Sequence, residues 1–275
     1  MSGILYVTGT PIGNLSDLSP RAAKTLQEVD FIAAEDTRVT LKLLNHLGIK
    51  KPMVSYFEHN KRERGEIICA RIEQGESCAI VTDAGMPCIS DPGEDLIRLC
   101  AERGIKTVVV PGPSAVIAAL AVSGLSTGRF TFEGFLSVNK KSRSEHLKSL
   151  LNEKRTMIFY EAPHKLPATL KDLYEAFGER KLSIVREITK VHEEVIRTTT
   201  SHAARELADG SVRGEIVLVL EGAAEEAEAE SYTMEQAVAL AKELAEKGMK
   251  ATEAAKQAAA LTGYKKNEIY KELTV

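Results

Sequence analysis

The chain has 275 residues, of which 44% are hydrophobic and 27% are charged. These values are ordinary for a globular protein and leave room for two domains. The formal net charge of −3 gives no general case for binding nucleic acid or membranes. Any contact with RNA would therefore have to come from local basic patches.

The four cysteines lie in the first half of the chain, about ten residues apart and without a C-x-x-C pair. This spacing suits neither a zinc site nor a small disulfide framework, so we expect reduced thiols and no metal. A first strand begins by Ile4, which leaves no room for a signal peptide, and no apolar run reaches the length of a membrane span. We expect a soluble cytoplasmic protein that does not associate with membranes.

The first half alternates short apolar runs with helical segments. Apolar runs rich in β-branched residues and bounded by turn residues are typical of buried parallel strands. We predict strands at residues 4–7, 31–34, 52–56, 79–81 and 107–110, and helices at 20–29, 38–47 and 62–74. This alternation predicts an α/β domain over residues 1–127 with a mostly parallel sheet.

A second α/β domain is predicted over residues 128–222. It begins near the polar, basic segment 137–142, which we interpret as a mobile loop. Strands are predicted at residues 131–136, 156–160, 182–186, 194–199 and 215–220, with helices at 144–151, 167–177 and 203–208. The later strands have little helix between them, which favours a mixed or antiparallel sheet.

The C-terminal part differs in composition. Residues 223–231 are acidic and of low complexity, typical of a linker or an extended helix. Residues 232–275 predict a module of three short helices, resembling a helix-turn-helix, that could contact nucleic acid through Lys265 and Lys266. A helical cap or dimerisation arm explains the same pattern equally well.

Two loops rich in Gly and Pro, 83–92 and 111–115, follow neighbouring predicted strands. In an open α/β sheet this edge is where ligands bind. We expect Asp91 to cap a helix opened by Pro92, and Ser114 to cap the next helix. The loops are neither a Walker A loop nor a G-x-G-x-x-G fingerprint, and they would also serve as plain connections.

Six ordered motifs resemble one family. They read L-Y-V-T-G-T-P-I-G-N-L-S-D-L-S-P-R-A, A-A-E-D-T-R, V-T-D-A-G-M-P-C-I-S-D-P-G, V-P-G-P-S-A, F-Y-E-A-P-H-K and R-E-I-T-K-V-H-E-E. Together they are similar to the ribosomal RNA small-subunit methyltransferase I family, a branch of the tetrapyrrole-methylase-like S-adenosylmethionine (SAM) enzymes. The resemblance runs from Leu5 to Glu221. Thr8–Gly9 departs from the usual pattern, with consequences for backbone detail only.

The resemblance implies two α/β domains with SAM bound in the cleft between them, and a homodimer. It also implies methyl transfer to the 2′-hydroxyl of a specific cytidine in the decoding region of small-subunit rRNA. Two rival functions are a methylase acting on a tetrapyrrole or a protein side chain, and a non-catalytic ribosome-binding factor.

Carried over residue by residue, the family's cofactor site falls on four clusters. The implied cofactor-binding residues are Pro11, Ile12, Gly13, Asp83, Ala84, Gly85, Cys88, Ser114, Ala115, Tyr160, Glu161, Gly214, Glu215 and Ile216. A carboxylate near a sulfonium is electrostatically favourable, and a helix start can meet the cofactor's carboxylate. Each residue also has a purely structural interpretation, as a cap, a turn former or a bulge.

A ribose hydroxyl is a poor nucleophile, so a base or a polarising group should assist it. Asp36 and Glu187 are our catalytic candidates because both follow predicted strands, although a salt bridge or a cap explains each equally well. His164 has a suitable pKa range but is a weaker candidate, and His59 and His192 are weaker still.

Contact with RNA is expected from basic residues around the cleft. The candidates are Arg38, Lys140, Lys141, Arg143 and Lys165, besides the two C-terminal lysines. Such phosphate contacts would give salt-dependent binding without sequence information. A solvated mobile loop is the alternative interpretation of the 137–143 stretch.

Overall fold

A computed structural model describes residues 2–224 and 232–273. The chain divides into two compact units, Met1–Ala223 and Ala224–Val275. Most of the predicted acidic linker, 225–231, lies outside the described residues. The first unit contains both of the predicted sheets.

The first sheet is wholly parallel, with strand order β3-β2-β4-β1-β5. Its strands are Ile4–Thr8 (β1), Phe31–Ala34 (β2), Met53–Ser55 (β3), Cys78–Val81 (β4) and Lys106–Val110 (β5). The four residues of β2 and of β4 are all buried, which explains their continuous apolar runs. The parallel sheet predicted from the sequence is confirmed.

Helices follow the strands of this sheet. They are Pro20–Glu28 (α1), Thr37–His46 (α2), Lys61–Glu73 (α3), Glu94–Glu102 (α4) and Ala115–Ser123 (α5). The prediction that Asp91 caps a helix opened by Pro92 is wrong, because α4 has Gly93 as its N-cap, at φ 140°. A Cβ on Gly93 would lie 2.5 Å from the Cys88 Sγ, so the tight packing of this loop delays the helix start.

The second sheet is mixed, as predicted, with strand order β6-β7-β10-β8-β9. Its strands are Phe130–Phe135 (β6), Thr156–Glu161 (β7), Lys181–Arg186 (β8), Glu194–Thr199 (β9) and Ile216–Leu220 (β10). Only the β6–β7 pair is parallel among these described strands. Lys140–Ser149 (α6), Leu166–Phe177 (α7) and Thr200–Glu206 (α8) complete this half.

The basic segment predicted as a mobile loop is partly helical. Helix α6 begins at Lys140, four residues before the predicted start, because the Asn139 side chain accepts hydrogen bonds from the amides of Lys141 and Ser142 at 3.0 and 3.1 Å. A capped first turn gives these basic residues fixed positions.

Helix α5 connects the two sheets. It follows β5 of the first sheet, yet its buried residues Val116, Ala119 and Leu120 pack on Ile158 and Val185 of the second. This burial explains the apolar residues on one face of the helix, whereas Ile117 and Val122 remain exposed on the other.

The second unit consists of Met234–Glu246 (α9), Ala251–Thr262 (α10) and Lys266–Leu273 (α11). Thr233 and Gln236 form a capping box at the start of α9, and buried alanines with Ile269 make the core. The three predicted helices are confirmed. Within the described parts of the chain, no helix has the length and hydropathy to cross a membrane.

Candidate active site

A cavity of about 410 Å³ lies between the carboxyl edge of the first sheet and the second sheet. The first half of the chain contributes Ile12, Glu35, Thr82, Asp83, Ala84, Ser90, Asp91 and Ala115 to its lining. The second half contributes Phe135, Tyr160, Glu161, Ala162, Pro163, Val185, Ile188, Glu215, Ile216 and Val217. The cavity thus lies in the cleft that the family resemblance implies.

Many of the predicted cofactor-binding residues line this cavity. They are Ile12, Asp83, Ala84, Ala115, Tyr160, Glu161, Glu215 and Ile216. The sequence-based interpretation did not include Glu35, Asp91 or Phe135, which also line it.

The remaining predicted residues shape its surroundings. Pro11 and Gly13 line an adjacent cavity of about 250 Å³. Gly85 forms a two-way backbone bridge with Thr10, with N–O distances of 2.9 and 3.2 Å. Cys88 has a left-handed backbone, with φ 71°. Ser114 is the N-cap residue of α5, as predicted, although its hydroxyl is not used for the cap.

Three carboxylates gather on one wall of the cavity. Glu35 follows β2 and Asp83 follows β4, and these strands are neighbours in the sheet. The Thr82 hydroxyl donates to the Glu35 Oε2 at 2.5 Å. Burial, followed by the charge of Glu35, raises the pKa of Asp83 and brings that of Asp91 to about 6. The wall therefore favours a cationic ligand.

The buried Glu161 is held from both sides. Its Oε1 accepts from the Ala162 amide at 2.8 Å, and its Oε2 accepts from the Thr169 hydroxyl. Thr169 in turn accepts from the Arg143 guanidinium at 2.8 Å. This chain of hydrogen bonds fixes the Glu161 carboxylate at the cavity wall.

Arg143, a predicted RNA-binding residue, is directed into the protein. Its guanidinium forms an ion pair with Asp172, and its side chain is only 13% exposed. The structure gives Arg143 a supporting contact to Glu161 through Thr169, and its role in binding RNA stays a prediction.

Asp36 is the N-cap residue of α2. Its Oδ1 accepts from the Arg38 amide at 2.8 Å and from the Arg38 Nε at 3.0 Å. These hydrogen bonds, first from the Arg38 side chain and then from its backbone, lower the pKa of Asp36 to about 2. The Asp36 amide also donates to the Asp83 Oδ1 at 3.1 Å, so the turn orients a cavity carboxylate.

Glu187 lies in the turn after β8, with φ 52°. Its Oε1 accepts from the Glu215 amide and from the Lys190 Nζ, each at 2.9 Å. The amide first, and Lys190 second, lower the pKa of the carboxyl group. Gly214 leaves room for this carboxylate, since a Cβ there would lie 2.5 Å from the Glu187 Cδ. Glu187 thus links the turn after β8 to the turn before β10 through a hydrogen bond.

The other basic candidates lie in separate places. Lys140 and Lys141 are exposed in the first turn of α6, and Lys165 is the N-cap residue of α7. The Arg38 side chain is 87% exposed while it pairs with Asp36. Lys265 and Lys266 are exposed at the start of α11, in the second unit.

The histidines lie away from the cavity lining. His164 and His192 are exposed, and the ring of His59 packs edge-on against Phe57 at 6.2 Å. Within residues 2–224 and 232–273, no group of three or more His, Cys, Asp and Glu side chains could hold a metal ion.

A protein-family model described as Tetrapyrrole (Corrin/Porphyrin) Methylases matches residues 4–204. Solved structures share the fold. A cobalt precorrin-4 methyltransferase has a TM-score of 0.59 at 19% identity, over 79% of this chain and 94% of that one. A uroporphyrin-III C-methyl transferase from Thermus thermophilus, complexed with S-adenyl homocysteine, has a TM-score of 0.57 at 16% identity, over 80% and 97%.

The fold and the cavity therefore define a methylase of this class. Two relatives carry the name Ribosomal RNA small subunit methyltransferase I. The one from Synechocystis sp. is 46% identical over 269 residues, covering 98% of this chain and 96% of the relative. The one from Thermotoga maritima is 48% identical over 220 residues, covering 80% of this chain and 99% of the relative. The chain belongs to the ribosomal RNA small subunit methyltransferase I family of SAM-dependent enzymes.

Proposed function

We propose that this protein transfers the methyl group of SAM to the ribose 2′-hydroxyl of a specific cytidine in small-subunit rRNA. The observation that carries the proposal is the carboxylate-lined cavity between the two sheets, in a chain whose relatives are named for rRNA methylation. The decoding region is the site implied by the family resemblance.

The residues of the cavity fit SAM. SAM has two cationic groups, a sulfonium and an ammonium, and Glu35, Asp83 and Asp91 provide a matching negative wall. Val185 and Ile188, with other aliphatic side chains, offer an apolar surface for the uncharged parts of SAM. The amide groups at the start of α5, at Ser114 and Ala115, are suited to a carboxylate.

The remaining predicted residues support this site. In our proposal the tight turns at Pro11–Gly13, Gly85, Cys88 and Gly214 set the width of the cleft, and Tyr160, Glu161, Glu215 and Ile216 form its second wall. Residue roles of this kind can be tested by calorimetric titration of single variants with SAM.

When bound, SAM supplies an electrophilic methyl group and needs no metal. The chain must hold the ribose hydroxyl in line with the methyl–sulfur bond, which breaks to release S-adenosylhomocysteine as the new oxygen–carbon bond forms. It must also exclude water and receive the proton that the hydroxyl releases. Asp36 and Glu187, our candidates from sequence, are engaged by Arg38 and Lys190, which suits them to positioning. Asp91 is the better proton acceptor, because it lines the cavity and its pKa is about 6.

The assembled 30S subunit is the substrate we propose, and the reaction takes place in the cytoplasm. Lys140, Lys141, Lys165 and Arg38 of the first unit would bind phosphates, and Lys265 and Lys266 of the second unit would bind phosphates of the same rRNA. Two copies of the chain would pair through the exposed apolar side chains of β5 and α5, among them Val109 and Ile117.

The proposal is tested by methyl transfer from labelled SAM to purified 30S subunits that lack the modification. We expect label at one cytidine, with a linkage that resists alkaline hydrolysis because the 2′-oxygen is blocked. Asp91→Asn is the matched variant, and it should lose turnover at neutral pH. The SAM affinity of the wild-type protein and of Asp91→Asn is measured by calorimetry in parallel.

Two outcomes would contradict the proposal. Tight SAM binding without label in RNA would favour a tetrapyrrole or protein acceptor. Absence of SAM binding by the folded protein would favour a non-catalytic ribosome-binding factor.

A further inference from the structure

Phe135 is an unusual residue of the cavity. It ends β6, lines the cavity, and is 58% exposed although its side chain is large and apolar. An exposed aromatic ring that lines a binding cleft is available for contact with a ligand.

A β-bulge determines which way Phe135 faces. The register of β6 against β7 shifts between Phe132 and Gly134, which pair with Ile158 and Phe159, so that Phe135 pairs with Tyr160. In a regular strand, side chains alternate between the two faces, and residues 132 and 135 would lie on opposite ones. The bulge, with Gly134 at φ 64°, places both on the face of Tyr160.

The Phe135 ring belongs to a group of three aromatic side chains. Phe135 and Tyr160 have ring centroids 5.4 Å apart, and Phe132 packs edge-on against Tyr160 at 4.9 Å. The half-buried Tyr160, itself packed against the half-buried Phe132, holds Phe135 at a defined place while much of the Phe135 ring remains exposed. Such a ring offers a flat surface to another flat group.

The opposite rim of the cavity comes from the first half of the chain. A Cβ on Gly134 would lie 3.7 Å from the Ser90 hydroxyl oxygen, so β6 meets the loop that carries the exposed Ile89. Beyond Phe135, the chain continues to Lys140 and Lys141 in the fixed first turn of α6. Phe135 thus lies where β6 meets the loop of Ser90, and Lys140 and Lys141 follow it within six residues along the chain.

We propose that Phe135 is a stacking platform for the nucleobase of the nucleotide being methylated. RNA-binding proteins commonly receive unstacked bases on aromatic rings, while basic residues hold the backbone. A base stacked on Phe135 would leave its ribose pointing towards the cavity, and the flanking phosphates near the first turn of α6. This inference rests on the proposed function and identifies a binding subsite for the acceptor nucleotide.

The test compares Phe135→Ala, Phe135→Leu and Phe135→Trp in the full-length protein, with Phe130→Ala as the matched control. Phe130 begins the same strand, is 36% exposed and lies outside the cavity lining. Each variant is assayed for SAM affinity by calorimetry and for kcat/KM on unmodified 30S subunits. A thermal melt checks that each is folded.

We expect Phe135→Ala and Phe135→Leu to lower kcat/KM by about 10- to 100-fold, as expected for loss of base stacking. Phe135→Trp should retain most activity, because an aromatic face is preserved. Since Phe135 also lines the cavity, the test is that the loss of kcat/KM in Phe135→Ala and Phe135→Leu exceeds any loss of SAM affinity by about tenfold or more. A merely apolar packing role would instead let leucine substitute for phenylalanine.

Equal activity of Phe135→Leu and wild type, or an equal loss in Phe130→Ala, would overturn the inference while leaving the proposed function intact. Failure of the wild-type protein to methylate RNA would overturn the proposed function itself.

Discussion

At the scale of single residues, Asp91 occupies a position that lowers stability. It lies in the cavity with Glu35 and Asp83, and burial, followed by the charge of Glu35, raises its pKa to about 6. A half-buried carboxylate with like-charged neighbours is typical of a site selected for a ligand or for chemistry. The loss of folding stability caused by the charged Asp91 should be measurable in the protein without ligand.

We predict that Asp91→Asn stabilises the ligand-free protein by about 1 to 2 kcal/mol at pH 7.5. Between pH about 4 and about 6 the folded state binds more protons at Asp91 than the unfolded chain does, so stability falls as pH rises through this window. Below pH about 4 both states are protonated, and the two proteins should converge. Urea unfolding at several pH values measures the difference.

Asp209→Asn is the matched control. Hydrogen bonds from the side chain and the amide of Ser211 lower the pKa of Asp209, so its contribution to stability is present at neutral pH and is lost as pH falls. The two substitutions should therefore differ in sign. A pH-independent effect of Asp91→Asn would contradict our account of this group.

At the scale of elements, the strands of the first sheet were predictable because each is a short β-branched run bounded by turn residues. The strand at residues 31–34 was predicted with its observed bounds. The order of strands in space is less accessible, since a parallel sheet can place β2 beside β4 with two helices and a whole strand between them in sequence. Glu35 was missed as a neighbour of Asp83 for this reason.

Local irregularities of the backbone account for other differences between the predicted and the observed structure. Period-2 alternation gives no sign of the bulge that turns Phe135 towards the cavity. The Asp91–Pro92 pair matches a helix start, but Cys88 and Ser90 adopt left-handed backbone and the helix begins later, at Glu94. The predicted cofactor residues that line the cavity were named mainly through the family motifs, which carry spatial information that spacing alone lacks.

We predict that Gly214→Ala separates the two turns that meet at Glu187 and destabilises the protein by about 2 to 4 kcal/mol. A Cβ at residue 214 would lie 2.5 Å from the Glu187 Cδ, and the glycine has φ 93°. The displaced carboxylate would lose its hydrogen bonds to the Glu215 amide and Lys190. Urea unfolding measures the loss, and calorimetry should show weaker SAM binding.

Gly210→Ala provides the control for backbone strain. Gly210 has φ 79°, but a Cβ there would meet no atom within 4 Å. We therefore expect Gly210→Ala to lower the free energy of unfolding by about 1 kcal/mol. Combining Gly214→Ala with Glu187→Ala should recover part of the stability lost in Gly214→Ala, because the second substitution removes the steric clash. Equal effects at residues 210 and 214 would show that the contact with Glu187 is unimportant.

At the scale of the whole molecule, the two compact units differ in what they contain. The first unit, Met1–Ala223, includes both sheets and the cavity, whereas the second has a small core of alanines and Ile269. The Thermotoga maritima relative is matched over 99% of its length by 80% of this chain. That relative therefore has no counterpart to a segment about as long as the second unit.

We predict that a chain ending at residue 223 folds cooperatively and binds SAM within about threefold of the full-length affinity, because every residue of the cavity lining is retained. Its kcat/KM on 30S subunits should fall, and the full-length Lys265→Ala/Lys266→Ala variant should reproduce most of that fall if those lysines bind phosphate. Lower salt should partly restore the kcat/KM of both proteins.

Two outcomes would contradict this prediction. Loss of SAM binding on truncation would show that the first unit does not fold and bind SAM on its own. Full activity of the truncated protein would assign the helical unit a role other than binding rRNA.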